Sequence, residues 1–111
     1  MTSLSLPAPA IGAAERVDSD FGPLWFRRDD DVMRPIVQRT GRWESGETSL
    51  VLSLVKPGAR VLDVGAHIGY FSAVAHSAAA DVTIDAIEPD LFSAALCELN
   101  LFASGANARV W

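Results

Sequence analysis

The chain has 111 residues, of which 50% are hydrophobic and 21% are charged, and its formal net charge is −5. This length and composition fit one small globular domain and exclude a disordered chain. The negative charge argues against a partner with a phosphate backbone, so we expect no nucleic-acid partner. Apolar runs too short to cross a bilayer and the lack of a secretory signal pattern predict a cytoplasmic protein with no membrane partner.

The first part of the chain predicts a flexible leader. Residues 1–20 are rich in Ser, Pro and Ala, and Pro7, Pro9 and Gly12 interrupt any regular period. One domain over residues 21–111 is expected to follow. It begins with a predicted short strand, a turn and a helical segment before Gly41, and a second helix ends before Pro57-Gly58.

Strands and helices then alternate. Residues 60–64 have the nearly continuous apolar character of a parallel strand covered on both faces. The spacing predicts a helix over residues 68–79, a strand over 82–87 and a helix over 90–103, and Arg109-Val110-Trp111 opens a third strand. This order predicts right-handed crossovers and parallel pairing. The fold class is therefore α/β, with the N-terminal half of a Rossmann-like sheet preceded by a helical segment.

A glycine turn joins the first of these strands to its helix, in Asp63-Val64-Gly65-Ala66-His67-Ile68-Gly69. Glycine permits a ligand to approach the backbone closely, and the N-terminus of the next helix favours an anionic group. The dinucleotide-binding pattern Gly-x-Gly-x-x-Gly is incomplete here, which argues against a nicotinamide-dependent oxidoreductase. Asp63 is a poor neighbour for a pyrophosphate and a better one for the positively charged methionine part of S-adenosylmethionine (SAM).

Glu88 ends the second strand, in Ala86-Ile87-Glu88-Pro89. A carboxylate at this position can accept hydrogen bonds from both ribose hydroxyls of an adenosine cofactor. The alternative is a strand-end surface acid or a helix cap. Cys97 is the one cysteine and lies among apolar residues, so we expect it to pack in the core.

From about Trp25 to Trp111 the chain resembles the N-terminal part of an FkbM-type SAM-dependent methyltransferase. The glycine turn alone marks only the broad class I methyltransferases, and the ordered set of motifs is more specific. The matching segments are Arg28-Asp29-Asp30-Asp31, Gly41-Arg42-Trp43-Glu44, Val61-Leu62-Asp63-Val64-Gly65-Ala66-His67-Ile68-Gly69-Tyr70, Ala86-Ile87-Glu88-Pro89 and Leu96-Cys97-Glu98-Leu99-Asn100-Leu101.

The resemblance implies a class I Rossmann-like methyltransferase fold with SAM as the cofactor. It implies methylation of a hydroxyl on a small metabolite, sugar or polyketide, with no metal and no assigned catalytic residue. His67 stands where many class I methyltransferases carry glycine, so its side chain is expected to point away from the cofactor or to line its edge. The implied cofactor-binding residues are Asp63, Gly65, Ala66, His67, Gly69 and Glu88.

Because the resemblance covers only the first strands of a larger sheet, the chain is expected to be a truncated form that carries the SAM-binding half. Two alternatives remain open. One is a non-catalytic interaction module or remnant fragment, and the other is a fragment of an NAD-dependent oxidoreductase. Calorimetry with SAM and with NAD would separate the two cofactor assignments.

Overall fold

An antiparallel hairpin opens the part of the chain that the computed structural model describes, residues 12–111. Strand β1 (Ala14–Ser19) pairs with strand β2 (Gly22–Arg27). Leu24 and Phe26 are fully buried because alternate residues of a strand point to the same face. The hairpin thereby contributes one face to the hydrophobic core.

Strand β1 corrects the prediction of a flexible leader over residues 1–20. Residues 14–19 are an ordered part of the domain, whereas residues 1–11 lie outside the described residues. The sequence has no alternating apolar pattern that predicts this strand, because Val17 is its one fully buried side chain. Hydrogen bonds to β2, and not local apolar periodicity, define its position.

Helices α1 (Met33–Thr40) and α2 (Ser45–Leu54) follow the hairpin, and both match helical segments predicted from the sequence. Helix α1 packs against β1 and ends at Gly41, which adopts a φ of 83° and donates its N–H to the carbonyl of Val37. A glycine in this left-handed conformation is a common helix end. None of the helices within residues 12–111 is both long and apolar enough to span a bilayer.

A parallel sheet of three strands forms the second part of the domain. Its order is β3 (Arg60–Val64), β4 (Thr83–Ile87) and β5 (Asn107–Val110). Helix α3 (Tyr70–Ala78) connects the first two strands, and helix α4 (Leu91–Ser104) connects the last two. The parallel pairing and the alternation confirm the predicted α/β, Rossmann-like arrangement.

Helices α3 and α4 cover one face of this sheet. Ile84 and Ala86 of β4 are buried on the covered face. Leu62 and Val64 of β3 point to the other face and are 63% and 70% exposed. The prediction that β3 is covered on both faces is therefore wrong within residues 12–111, because the helices described there pack on one side.

Candidate functional site

The glycine turn after β3 is bonded to the end of β4. The N–H groups of Gly65 and Ala66 both donate to the carbonyl of Ile87, at 2.8 and 3.0 Å. Gly69 donates its N–H to the carbonyl of Ala66 at 2.8 Å, and α3 begins at the next residue. These bonds fix the turn at the carboxyl edge of the parallel sheet.

Glu88 closes the same turn from the side of β4. Its Oε1 accepts a hydrogen bond from the N–H of His67 at 2.7 Å, and its Oε2 accepts one from the N–H of Asp90 at 2.9 Å. His67 has a φ of 55°, in the left-handed region that favours glycine and asparagine. Because an ionised carboxylate has about four acceptor positions, both oxygens of Glu88 can accept further bonds.

Asp63 lies on the covered face of β3. Its Oδ2 accepts a hydrogen bond from the Oγ of Ser72 at 2.7 Å, and Ser72 is fully buried in α3. In the register of the sheet Asp63 is opposite Ala86, close to where Glu88 follows β4. The structure thus brings both predicted carboxylates to one edge of the sheet, on adjacent strands.

A cavity of about 350 Å³ opens beside the turn. Four of the six predicted site residues belong to its lining. The other two, Gly69 and Glu88, are not lining residues and form hydrogen bonds with Ala66 and His67 of the turn. The lining consists of Asp30, Val32, Met33, Trp43, Asp63, Gly65, Ala66, His67, Tyr70 and Phe71.

The other wall of the cavity comes from the segment around α1, which was not predicted as part of the site. The aromatic residue of this wall, Trp43, is positioned by a closed ring of three hydrogen bonds with Tyr70 and Thr48. The N–H of Trp43 donates to the Tyr70 hydroxyl at 3.1 Å, and the Thr48 hydroxyl donates to the Trp43 carbonyl at 2.6 Å. The Tyr70 hydroxyl therefore donates to Thr48 Oγ1, at 2.9 Å. The only sequence signals for this wall were two of the family-like segments, at residues 28–31 and 41–44.

Gly69 allows α3 to approach α4 closely. Its φ is 88°, and a Cβ at this position would lie 2.9 Å from the Sγ of Cys97. Cys97 is fully buried, which confirms its predicted packing role. Burial, followed by the nearby carboxylates of Asp63, Glu88 and Glu98, raises the pKa of the Cys97 thiol to about 12. The thiol therefore stays protonated at neutral pH.

The cavity is acidic and contains unsatisfied polar atoms. Asp30 and Asp63 line it, and no Lys or Arg of the described chain does. Among residues 12–111, the buried atoms Asp30 Oδ2 and His67 Nδ1 have no hydrogen-bond partner. Buried polar atoms are normally paired, so both atoms fit a polar ligand. No group of three or more potential metal ligands occurs within the same residues.

Solved structures of transferases share this architecture. A protein from Pyrococcus horikoshii described as a transferase matches with a TM-score of 0.68 and 16% identity, over 89% of this chain and 36% of that chain. A SAM-dependent methyltransferase from Agrobacterium tumefaciens matches with a TM-score of 0.65 and 16% identity, over 96% and 34%. The chain shares the fold of a part of these two structures. A protein-L-isoaspartate O-methyltransferase also matches, with a TM-score of 0.52 and 17% identity, over 96% and 31%.

The chain spans about a third of the length of these structures. No protein-family model matches it, and neither does any curated protein. In open α/β sheets ligands bind beyond the carboxyl ends of the strands. The turn, Asp63 and Glu88 lie at this edge of the sheet, at the carboxyl ends of β3 and β4.

Proposed function

We propose that the chain binds SAM and supplies the cofactor-binding part of an FkbM-like methyltransferase. The observation that carries this proposal is the acidic cavity at the carboxyl end of β3, lined by Asp30 and Asp63 with no Lys or Arg of the described chain. The methionyl part of SAM carries a sulfonium and an ammonium, which two carboxylates attract. The pyrophosphate of NAD would face the same carboxylates with like charge, at a cost that grows with burial.

The residues at the turn have separate tasks in this proposal. Glu88 would accept hydrogen bonds from the ribose hydroxyls with the capacity that His67 and Asp90 leave free. Asp63, held by Ser72, would face the positive charge of the methionyl part. His67 would present its buried Nδ1 to the ligand at the edge of the cavity.

The size and the apolar surface of the cavity support a ligand of this class. Its volume of about 350 Å³ lies within the range of roughly 300–1,000 Å³ that is common for small-molecule sites. Trp43 and Phe71 add ring surface to the lining. An aromatic ring stabilises a nearby cation, so these side chains suit a sulfonium as well as an adenosine.

The proposed reaction is O-methylation of a small-molecule acceptor. Bound at this site, the cofactor would supply an electrophilic methyl group, which an acceptor hydroxyl takes with loss of its proton and release of S-adenosylhomocysteine. The family resemblance supports a hydroxyl of a metabolite, sugar or polyketide. The contribution of this chain is to bind and orient the cofactor, because alignment of the reacting groups lowers the barrier.

Calorimetric titration of the 111-residue chain with SAM, S-adenosylhomocysteine and NAD tests the proposal. We expect binding heat with both adenosyl ligands and none with NAD. Asp63→Asn should weaken binding of SAM about tenfold, because it removes one charge facing the cation. Binding of NAD alone, or of none of the three ligands, would contradict the proposal.

Asp85→Asn is the matched control for this experiment. Asp85 lies on the neighbouring strand β4, and its neighbours Ile84 and Ala86 are buried on the covered face. Because side chains alternate along a strand, Asp85 points away from the cavity. The two substitutions change the net charge equally, so only a local effect can separate them.

A further inference from the structure

The cavity lining includes a carboxylate from outside the glycine turn, that of Asp30. It lies between β2 and α1, and its Oδ1 accepts hydrogen bonds from the N–H groups of Val32 and Met33, both at 2.9 Å. Its Oδ2 is buried and has no partner within residues 12–111. One oxygen thus orders the start of α1, and the other is an unpaired buried acceptor in a residue that lines the cavity.

The neighbouring arginines of this segment have partners other than Asp30 Oδ2. Arg34 donates through Nε to the backbone carbonyl of Asp30 at 3.1 Å, and its guanidinium pairs with Glu15 at 2.8 Å. Arg27 pairs with Asp29 and Asp90. A buried carboxylate oxygen without a donor costs free energy, which a ligand donor would recover.

We propose that Asp30 Oδ2 accepts a hydrogen bond from the ammonium group of the methionyl part of the cofactor. This assignment rests on the proposed function. The hydrogen-bond donors of SAM are its ammonium, its ribose hydroxyls and its adenine amino group. The proposed function assigns the ribose hydroxyls to Glu88, which follows β4. The ammonium is the one donor that is also a cation, and a charged pair gives the strongest hydrogen bond to a buried carboxylate.

The choice of ligands separates the ammonium from the adenosine part. S-adenosylhomocysteine carries the ammonium, whereas methylthioadenosine has the same nucleoside and thioether without the amino acid part. Calorimetry of the 111-residue chain with each ligand measures both affinities directly. This measurement requires no methyl acceptor and no catalytic turnover.

The informative variant is Asp30→Asn. Asparagine keeps an oxygen that can accept the bonds from Val32 and Met33, and it replaces Oδ2 by an amide group that cannot accept a bond from an ammonium. Asp30→Ser is a second variant, which keeps a capping oxygen and removes the other one. Asp31→Asn is the matched control, because the Asp31 side chain is 90% exposed and the charge change is the same.

We expect Asp30→Asn and Asp30→Ser to weaken binding of S-adenosylhomocysteine about tenfold and to leave binding of methylthioadenosine unchanged. Asp31→Asn should change neither affinity. If Asp30 lay beside the carboxylate of the ligand, both substitutions would strengthen binding, because they remove a negative charge that repels it. Circular dichroism melting curves establish that each variant is folded, and Asp30→Ser replaces Asp30→Asn if only the latter fails to fold.

The outcomes distinguish failure of this assignment from failure of the proposed function. If the unaltered chain binds S-adenosylhomocysteine and both Asp30 variants bind it equally well, the assignment is wrong and the proposed function stands. Equal weakening of both ligands also overturns the assignment, since Asp30 would then act on the adenosine part or on the cavity shape. If the unaltered chain binds no adenosyl ligand, both proposals fail.

Discussion

Gly65 and Gly69 have similar backbone conformations in different surroundings. Both lie in the left-handed region, with φ values of 75° and 88°. A Cβ on Gly65 would meet nothing within 4 Å, whereas a Cβ on Gly69 would lie 2.9 Å from Cys97 Sγ and 3.5 Å from the Cys97 Cα. Glycine at position 65 is therefore required by the backbone conformation alone. At position 69 it is also required by the close packing of α3 on α4.

Gly69→Ala should be more destabilising than Gly65→Ala. The left-handed conformation costs an alanine about 1 kcal/mol at either position. At Gly69 the overlap with Cys97 adds about 2 kcal/mol, because packed helices yield little. Urea unfolding of both variants measures the difference, and Cys97→Ala in the Gly69→Ala background should restore part of the loss. If the two glycine substitutions lower the free energy of unfolding equally, the contact with Cys97 does not add to the cost of Gly69→Ala.

At the scale of elements, Asn100 joins the hairpin to the glycine turn. It is fully buried in α4, and its Oδ1 accepts a hydrogen bond from the N–H of Trp25 at 2.8 Å. Its Nδ2 donates to the carbonyls of Trp25 at 3.0 Å and Ile68 at 2.7 Å. One side chain thus fixes β2 and the turn in a common position, although the three residues are far apart in the sequence.

Asn100→Ala should loosen the hairpin and lower the free energy of unfolding by about 3 kcal/mol, since it leaves buried backbone groups without partners. Amide hydrogen exchange should show faster exchange at Trp25, whose N–H loses its acceptor. Asn107→Ala is the control, because Asn107 is exposed on β5. If Trp25 remains as protected as in the unaltered chain, Asn100 is not the link between hairpin and turn.

The sequence predicted the elements whose signals are local. The strands and helices from Arg60 to Val110 were predicted within a few residues, because apolar periodicity defines them. The turn residues Asp63, Gly65, Ala66 and His67 were likewise placed together by a single motif. Local patterns are sufficient to predict an element when the residues that form it are neighbours in the sequence.

The elements that the sequence did not reveal depend on distant contacts. Strand β1 is held by its pairing with β2 and has a single fully buried side chain. Asp30 and Trp43 reach the cavity only because the hairpin and α1 fold over the turn, and no spacing between them and Asp63 encodes that approach. The family resemblance marked both segments without indicating what their side chains contact.

For the molecule as a whole, the two faces of the parallel sheet differ in character. The face under α3 and α4 buries Ile84 and Ala86, with exposures of 0% each. The opposite face presents Leu62 and Val64 of β3, together with Ile87, which is 38% exposed. A contiguous exposed apolar surface favours association between molecules. The structure therefore predicts that stability and solubility depend on different faces of one sheet.

Matched substitutions to threonine on the two faces test this separation. Leu62→Thr with Val64→Thr should change the free energy of unfolding by no more than about 0.5 kcal/mol per site, because both side chains are largely exposed and threonine suits a strand. The same pair should reduce concentration-dependent association in sedimentation velocity. Ile84→Thr should cost about 3 kcal/mol, since it buries a hydroxyl in the core. A large loss of stability from the Leu62 and Val64 pair would mean that their face is covered in solution, so that the sheet is buried on both sides.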